Sequence, residues 1–290
     1  MSVPTFGAGD AGGAGMARRR IPAARDGQSV PVIGMGTWNT FDVGTSADER
    51  APPAEVLQAF YRAGAQVIDT SPMYGNAEAV TGDLVQQLGK QNTTFYATKV
   101  WTSGREKGAA QIEQSLRLLK TPRLDLLQIH NLVDWRTHVP TLRALQADGR
   151  VRYTGVTHYT VSAHADLEAA LRAERFDFAQ FNYSIGTRAA EERLLPYCQE
   201  HGIGVLINRP FEEGALFTQV RNRKLPGYAP EIGVRSWAQF FLKFIVSHPA
   251  VTCVIPATSR VTHMQDNLQA GFGPMPDAKL RERMARDFRA

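Results

Sequence analysis

The sequence predicts an α/β protein folded as a (β/α)8 TIM barrel, a parallel eight-stranded barrel with outer helices. Three observations point there. Short apolar runs alternate with helical segments along almost the whole chain, as strands buried on both faces and covered by crossover helices do. Asp69, Lys99 and His130 each stand at the end of such a run, in AQVID, TFYATK and DLLQIH, and a parallel barrel gathers its strand ends on one face. A doubly wound sheet shares the alternation, but it carries a Gly-rich phosphate loop after its first strand. Here Gly34-Met35-Gly36-Thr37-Trp38-Asn39 lacks the third glycine of that loop.

The elements follow in order. Residues 1–20 begin with a Gly/Ala-rich stretch without pattern and end in Met16 and the run Arg18-Arg19-Arg20. A twin-arginine export signal needs an apolar stretch next, and IPAARDGQSVPV is broken by Pro, Arg, Asp and Gly. Residues 1–20 are therefore expected to be a disordered leader ahead of a single barrel over 21–290. Segments 17–23 and 29–33 nevertheless have the makings of a short hairpin around Asp26-Gly27. VIGMGTW (32–38) reads as the opening strand. Pro52-Pro53 then starts a helix that stops at Gly64.

Beyond it the strand AQVID leads to the helix AEAVTGDLVQQLG, and TFYATKV to GAAQIEQSLRLLK, where Ile112, Leu116 and Leu119 share one face. LDLLQIH precedes a helix around VPTLRALQADG, VRYTGVT precedes HADLEAALRAE, and DFAQFNY precedes AEERLLPYCQEHG. IGVLINR is followed by a polar, Gly-containing insertion at 211–235, read as a loop. SWAQFFLKFIVSHP and the strand TCVIPAT complete the series.

The chain is 290 residues long and 43% hydrophobic, enough for one α/β barrel of about 250 residues. No stretch approaches the roughly 20 apolar residues of a membrane span. The net charge is +5, compatible with an anionic ligand. Its Lys and Arg are scattered rather than blocked, which argues against nucleic acid as a partner. Cys198 and Cys253 form no disulfide framework. There is no H-E-x-x-H or Cys/His spacing for a metal, and no G-x-S-x-G elbow.

Asp69, Tyr74, Lys99 and His130 arriving at one face suggest a proton-donating tyrosine with partners that tune it. Free tyrosine titrates near ~10 and is a poor acid at neutral pH. A nearby ammonium favours the phenolate, so Lys99 is expected to lower the Tyr74 pKa. Asp69 would neutralise and orient Lys99.

VIDTSPMYGNAEAVTG, YATKVW, LDLLQIHN, GVTHYT, FAQFNYS and IPATSRVTHMQDN resemble segments of the aldo-keto reductases, in that family's order and spacing, from about Pro31 to Leu268. The resemblance implies a barrel that binds extended NADPH without a dinucleotide-binding domain and reduces a small aldehyde or ketone reversibly, with NADH as a possible coenzyme. It makes Asp69, Tyr74, Lys99 and His130 the catalytic set, His130 holding the substrate carbonyl. Trp38, Met73, Trp101 and Asn131 are expected at the substrate.

For the cofactor it implies Thr37, Trp38, Asp69, Thr157, His158, Gln180, Asn208, Arg209, Pro210, Phe211, Thr258, Ser259, Arg260, Gln265 and Asn267, with Asn182 nearby. Thr258, Ser259 and Arg260 would face a 2′-phosphate. The chain departs from the family pattern at Thr157-His158, where Ser-Asn is usual, and at Asn208, where an aromatic often stacks on the nicotinamide. Many members carry Lys at Ala257 and Arg at His263, and losing both weakens the NADPH preference. Two other readings stay open: a nicotinamide-binding sensor, and a lyase or isomerase on the same barrel. A cytoplasmic monomer or weak oligomer is expected.

Overall fold

The computed structural model describes residues 15–290. Positions 1–14 of the expected leader lie outside the described residues. Its end is corrected by the structure. Strand β1 (Arg18–Arg20) pairs antiparallel with β2 (Ser29–Pro31), and Met16 is buried against the core. Ordered chain thus begins before residue 20, because Ile21, Ala24 and Val30 bring apolar surface to bury.

The barrel follows as β3 (Met35–Gly36), α1 (Ala47–Arg62), β4 (Val67–Asp69), α2 (Ala77–Gln87), β5 (Phe95–Val100), α3 (Arg105–Leu118), β6 (Leu124–Ile129), α4 (Trp135–Ala147) and β7 (Val151–Thr157). It continues with α5 (His164–Ala173), β8 (Phe178–Asn182), α6 (Leu194–Glu200), β9 (Gly204–Asn208), α7 (Ala215–Gln219), α8 (Trp237–Val246), β10 (Cys253–Val254), α9 (Val261–Gln269) and α10 (Ala278–Arg289). Strands β3 to β10 are parallel neighbours in sequence order. Bridges Ile33–Val254 and Gly36–Ala257 join the two ends of the sheet. At this seam Gly34 N donates to Val254 O at 2.9 Å and Gly36 N to Pro256 O at 3.2 Å. A Cβ on Gly34 would come within 2.8 Å of Val67 O, so the strands close there only on glycine.

The two-residue period of the strands builds two interior layers. Val67, Phe95, Leu126, Tyr153, Phe178, Leu206 and Cys253 point inward and pack with Ile21, Ala24 and Val30, so the hairpin plugs that end. Two or four residues further along the same face come Asp69, Lys99, Gln128, Thr157, Gln180 and Asn208. Inward positions therefore change from apolar to polar towards the strand ends. Outward positions such as Ile68, Tyr96, Val100, Leu127, Val156, Phe181 and Ile207 form the layer beneath the helices.

Three elements differ from expectation. Helix α1 starts at Ala47 rather than at Pro52, because Ser46 and Glu49 form a capping box: Ser46 Oγ accepts from Glu49 N at 3.3 Å, and Glu49 Oε2 accepts from Ser46 N at 3.2 Å. The insertion expected as a loop contains α7 and a 3-10 turn at Ala229–Ile232. Helices α9 and α10 extend the chain past its last strand. Arg281 of α10 reaches inward, donating to Phe244 O at 3.1 Å and pairing with Glu191 at 3.1 Å. Among the described residues, no helix is long and apolar enough to cross a membrane.

Candidate active site

Asp69 ends β4 and Lys99 lies near the end of the neighbouring β5, both pointing into the polar interior layer. Lys99 Nζ donates to Asp69 Oδ2 at 2.6 Å and to Thr70 O at 2.7 Å, with both side chains buried. Gln128, in register with Lys99, donates from Nε2 to Asp69 Oδ1 at 3.2 Å. Both carboxylate oxygens are thus held. A buried ammonium needs this, since desolvating it without a counter-charge costs several kcal/mol. Burial alone would depress the Lys99 pKa. The Asp69 carboxylate and the Tyr74 phenol outweigh it, and the net direction is up.

Tyr74 sits in the turn after β4, its N–H bonded to Ser71 O at 3.0 Å. Gly75 follows at φ +58°, where the backbone passes so close to Asp42 that a Cβ would strike its carboxylate. Lys99 Nζ lies 4.9 Å from the centre of the Tyr74 ring. Lys99 lowers the phenol's pKa, as expected, but does not bring it below its ordinary value. Burial raises it, Lys99 opposes that rise, Asp69 adds to it, and the net direction is up. The phenol is therefore held protonated, the form a general acid needs.

His130 follows β6 directly, and its ring meets Tyr74 edge-on at 5.7 Å. Ser71 Oγ lies 3.0 Å from His130 Nδ1. Burial, then the charge of Lys99, pushes the imidazole pKa down to about 2, so it is neutral. Trp38, Met73 and Trp101 are 44%, 42% and 40% exposed, and the Trp101 ring lies 6.5 Å from His130. Trp101 thus borders the imidazole, and Met73 directly precedes Tyr74 in the turn after β4. Asn131 adopts φ +52°, and its buried Oδ1 has no partner among the described residues.

The expected cofactor residues divide. Gln180 is buried in the polar layer, and its Oε1 has no partner among the described residues. Such an acceptor is costly unless an N–H meets it, which a carboxamide does. Thr37 Oγ1 donates to Asp69 O at 3.2 Å, and Thr157 is buried beside Gln180 in register. His158 makes a local turn, Nδ1 accepting from Tyr159 N at 3.0 Å and Thr160 N at 3.3 Å. Asn208 Nδ2 donates to His158 O at 3.3 Å, tying β9 to the end of β7. Arg209 pairs with exposed Glu213 at 3.2 Å and lines a polar cavity with Asn182, Ser184, Thr187 and Glu212. Pro210 is buried, and Phe211 packs on Phe217 at 5.0 Å, engaged within the insertion.

Further round, Ser259 and Arg260 are exposed at the start of α9, and Thr258 Oγ1 accepts from Arg260 N at 3.1 Å. A helix N-terminus with a guanidinium and a hydroxyl beside it suits a phosphate. Gln265 on the same helix is exposed and Asn267 buried. Three residues that sequence reasoning missed enter the site: Gln128, Ser71 and His164, whose Nε2 donates to Asn182 Oδ1 at 2.9 Å. Gln128 had a signal, lying two residues before His130 and hence on the same strand face. Among the described residues, no group of three His, Cys, Asp or Glu is placed to hold a metal.

Comparison with known proteins bears on this arrangement. The model of the aldo/keto reductase family matches residues 32–283. Methylglyoxal reductase YeaE of Escherichia coli is 30% identical over 246 residues, 82% of this chain and 84% of its own. An NADH-specific methylglyoxal reductase of the same organism is 25% identical over 73% of each chain. A Klebsiella pneumoniae aldo/keto reductase crystallised with NADP and acetate superimposes with a TM-score of 0.74 at 26% identity, covering 91% of this chain and 93% of that one.

Proposed function

Since this chain belongs to the aldo/keto reductase family, we propose that it reduces a small aldehyde or ketone with NADPH, Tyr74 serving as the general acid. The buried Lys99–Asp69 pair under a half-buried, protonated tyrosine carries the reading. Gln180, with its buried and unmet Oε1 among the described residues, would hold the carboxamide of a reduced nicotinamide, which would supply a hydride to the carbonyl carbon.

The chain's own residues do the rest. Tyr74 O–H and the neutral His130 imidazole face the carbonyl oxygen together, and two donors aimed where negative charge develops stabilise the transition state. As that oxygen takes the proton, Lys99 steadies the phenolate left behind, and Asp69 with Gln128 keeps the ammonium in place. Running backward, the phenolate is the base for alcohol oxidation. Trp38, Met73 and Trp101 exclude water from the reacting carbonyl and favour an apolar substituent on it.

NADPH is preferred over NADH on the strength of Arg260, Ser259 and Thr258. NADH stays within reach, because Ala257 and His263 stand where the lysine and arginine of many members would be. Fluorescence titration with both coenzymes, followed by their consumption with a panel of aldehydes, tests the reading. Consumption with tighter NADPH binding is expected; binding of either coenzyme without consumption by any carbonyl would reject reduction in favour of a sensor. Arg260→Ala is expected to weaken NADPH by about tenfold, on the scale of one charge-assisted contact, and NADH little. Equal losses for both would remove Arg260 from the 2′-phosphate.

A further inference from the structure

Ser71 is fully buried in the turn that carries Tyr74, its hydroxyl against His130. Its hydroxyl has two partners among the described residues, the Met73 backbone N–H at 3.2 Å and His130 Nδ1 at 3.0 Å. The Met73 amide can only donate, so it occupies an acceptor site on Oγ. That leaves the hydroxyl's own proton, and His130 Nδ1 is the one acceptor within its reach. A neutral imidazole carries a single N–H, and whichever nitrogen accepts a hydrogen bond is the bare one. Were Nδ1 protonated instead, Oγ would accept twice and a buried donor would be left unmet, which is costly.

We propose that Ser71 is a positioning residue that fixes the tautomer of His130, holding Nδ1 bare and the proton on Nε2, where the ring presents it to the substrate oxygen. Nε2 makes no hydrogen bond within the protein among the described residues, so its N–H is available to a ligand. The opposite tautomer would turn a lone pair towards an oxygen that is gaining negative charge, opposing the transition state. Fixing the tautomer in advance removes that wrong state before substrate arrives. The consequence for rate rests on the carbonyl-reduction reading; the tautomer itself does not.

The test is a long-range proton–nitrogen correlation spectrum of the full chain labelled with 15N-histidine, at neutral pH and without coenzyme. His130 is assigned by its loss in His130→Asn. The expected wild-type pattern is a protonated Nε2 and an unprotonated Nδ1. In Ser71→Ala a second population with protonated Nδ1 should appear. The same variant should lose about tenfold in kcat/KM for the aldehyde, the scale of one hydrogen bond, with coenzyme affinity unchanged. Ser71→Thr, which keeps the hydroxyl, should return both readouts towards wild type.

A wild-type spectrum with the proton on Nδ1 overturns the proposal, and it does so whether or not the variants fold. So does a Ser71→Ala spectrum identical to wild type. If no carbonyl were reduced at all, the spectra would still decide the tautomer, so the two readings fail separately.

Discussion

At the residue scale the site is governed by what burial does to four ionisable groups. Lys99 keeps its charge because the Asp69 carboxylate lies 2.6 Å away, and His130 loses its charge because nothing compensates its burial. Tyr74 is held as a phenol by desolvation, with Lys99 limiting the rise. Tyr74→Phe removes the proton donor and leaves the pocket's shape. It should therefore lower kcat for carbonyl reduction by about 10²–10⁴-fold while coenzyme affinity, read by fluorescence, stays unchanged. Retained turnover would remove Tyr74 from its role. Much of this set is legible in the sequence, because a strand-end acid, lysine and histidine are visible without coordinates. The direction of the Tyr74 shift is not legible, since burial is a property of the packed site. Ser71 is silent for a like reason: a serine near a turn looks the same whether its hydroxyl meets water or an imidazole.

At the element scale, close approach decides more than propensity. Gly82 lies inside α2, and a Cβ there would stand 2.1 Å from Leu118 O and 2.9 Å from the Leu119 backbone. Alanine favours an isolated helix over glycine by about 1 kcal/mol. Here Gly82→Ala should instead destabilise the protein by roughly 1–3 kcal/mol, since α2 must move off α3 and open its buried face. Denaturant melts would check the sign; a gain in stability would mean that the helices separate freely. Sequence patterning located the helices well where one apolar face met one Gly stop. It misplaced the start of α1 because Pro52-Pro53 imitates a helix start, whereas the side chains of Ser46 and Glu49 set the real one. Helix α7 within 211–235 is hidden by its polarity, with Leu216 its one buried residue.

At the scale of the whole molecule, buried histidines tie stability to pH. His130 titrates at about 2 and His248 at about 4, both lowered chiefly by burial. The unfolded chain takes up these protons near pH ~6.5. Below that pH it binds protons that the native state refuses, so stability falls as the solution is acidified. The slope is at most about 1.4 kcal/mol per pH unit for each histidine. Glu78 and Asp125, raised by burial, act oppositely from their raised folded pKa down to the unfolded carboxylate range near ~4, so the histidine effect is read as the difference between wild type and variant over about pH 6.5 to 5. His248→Phe should flatten the dependence of the urea midpoint there, and an unchanged slope would refute the assignment. The joint between β10 and β3 carries a different implication. These strands are the shortest of the eight, two residues each, and they meet through isolated bridges. A cylinder with one weak stave fails along it, so amides of Gly34, Gly36 and Val254 should exchange with deuterium earlier than those of β5 and β6. Thr258, Ser259 and Arg260 emerge from that same stave. A coenzyme gripped there would act as a hoop around the cylinder, slowing exchange along the joint and letting a protease sense from outside whether the enzyme is loaded.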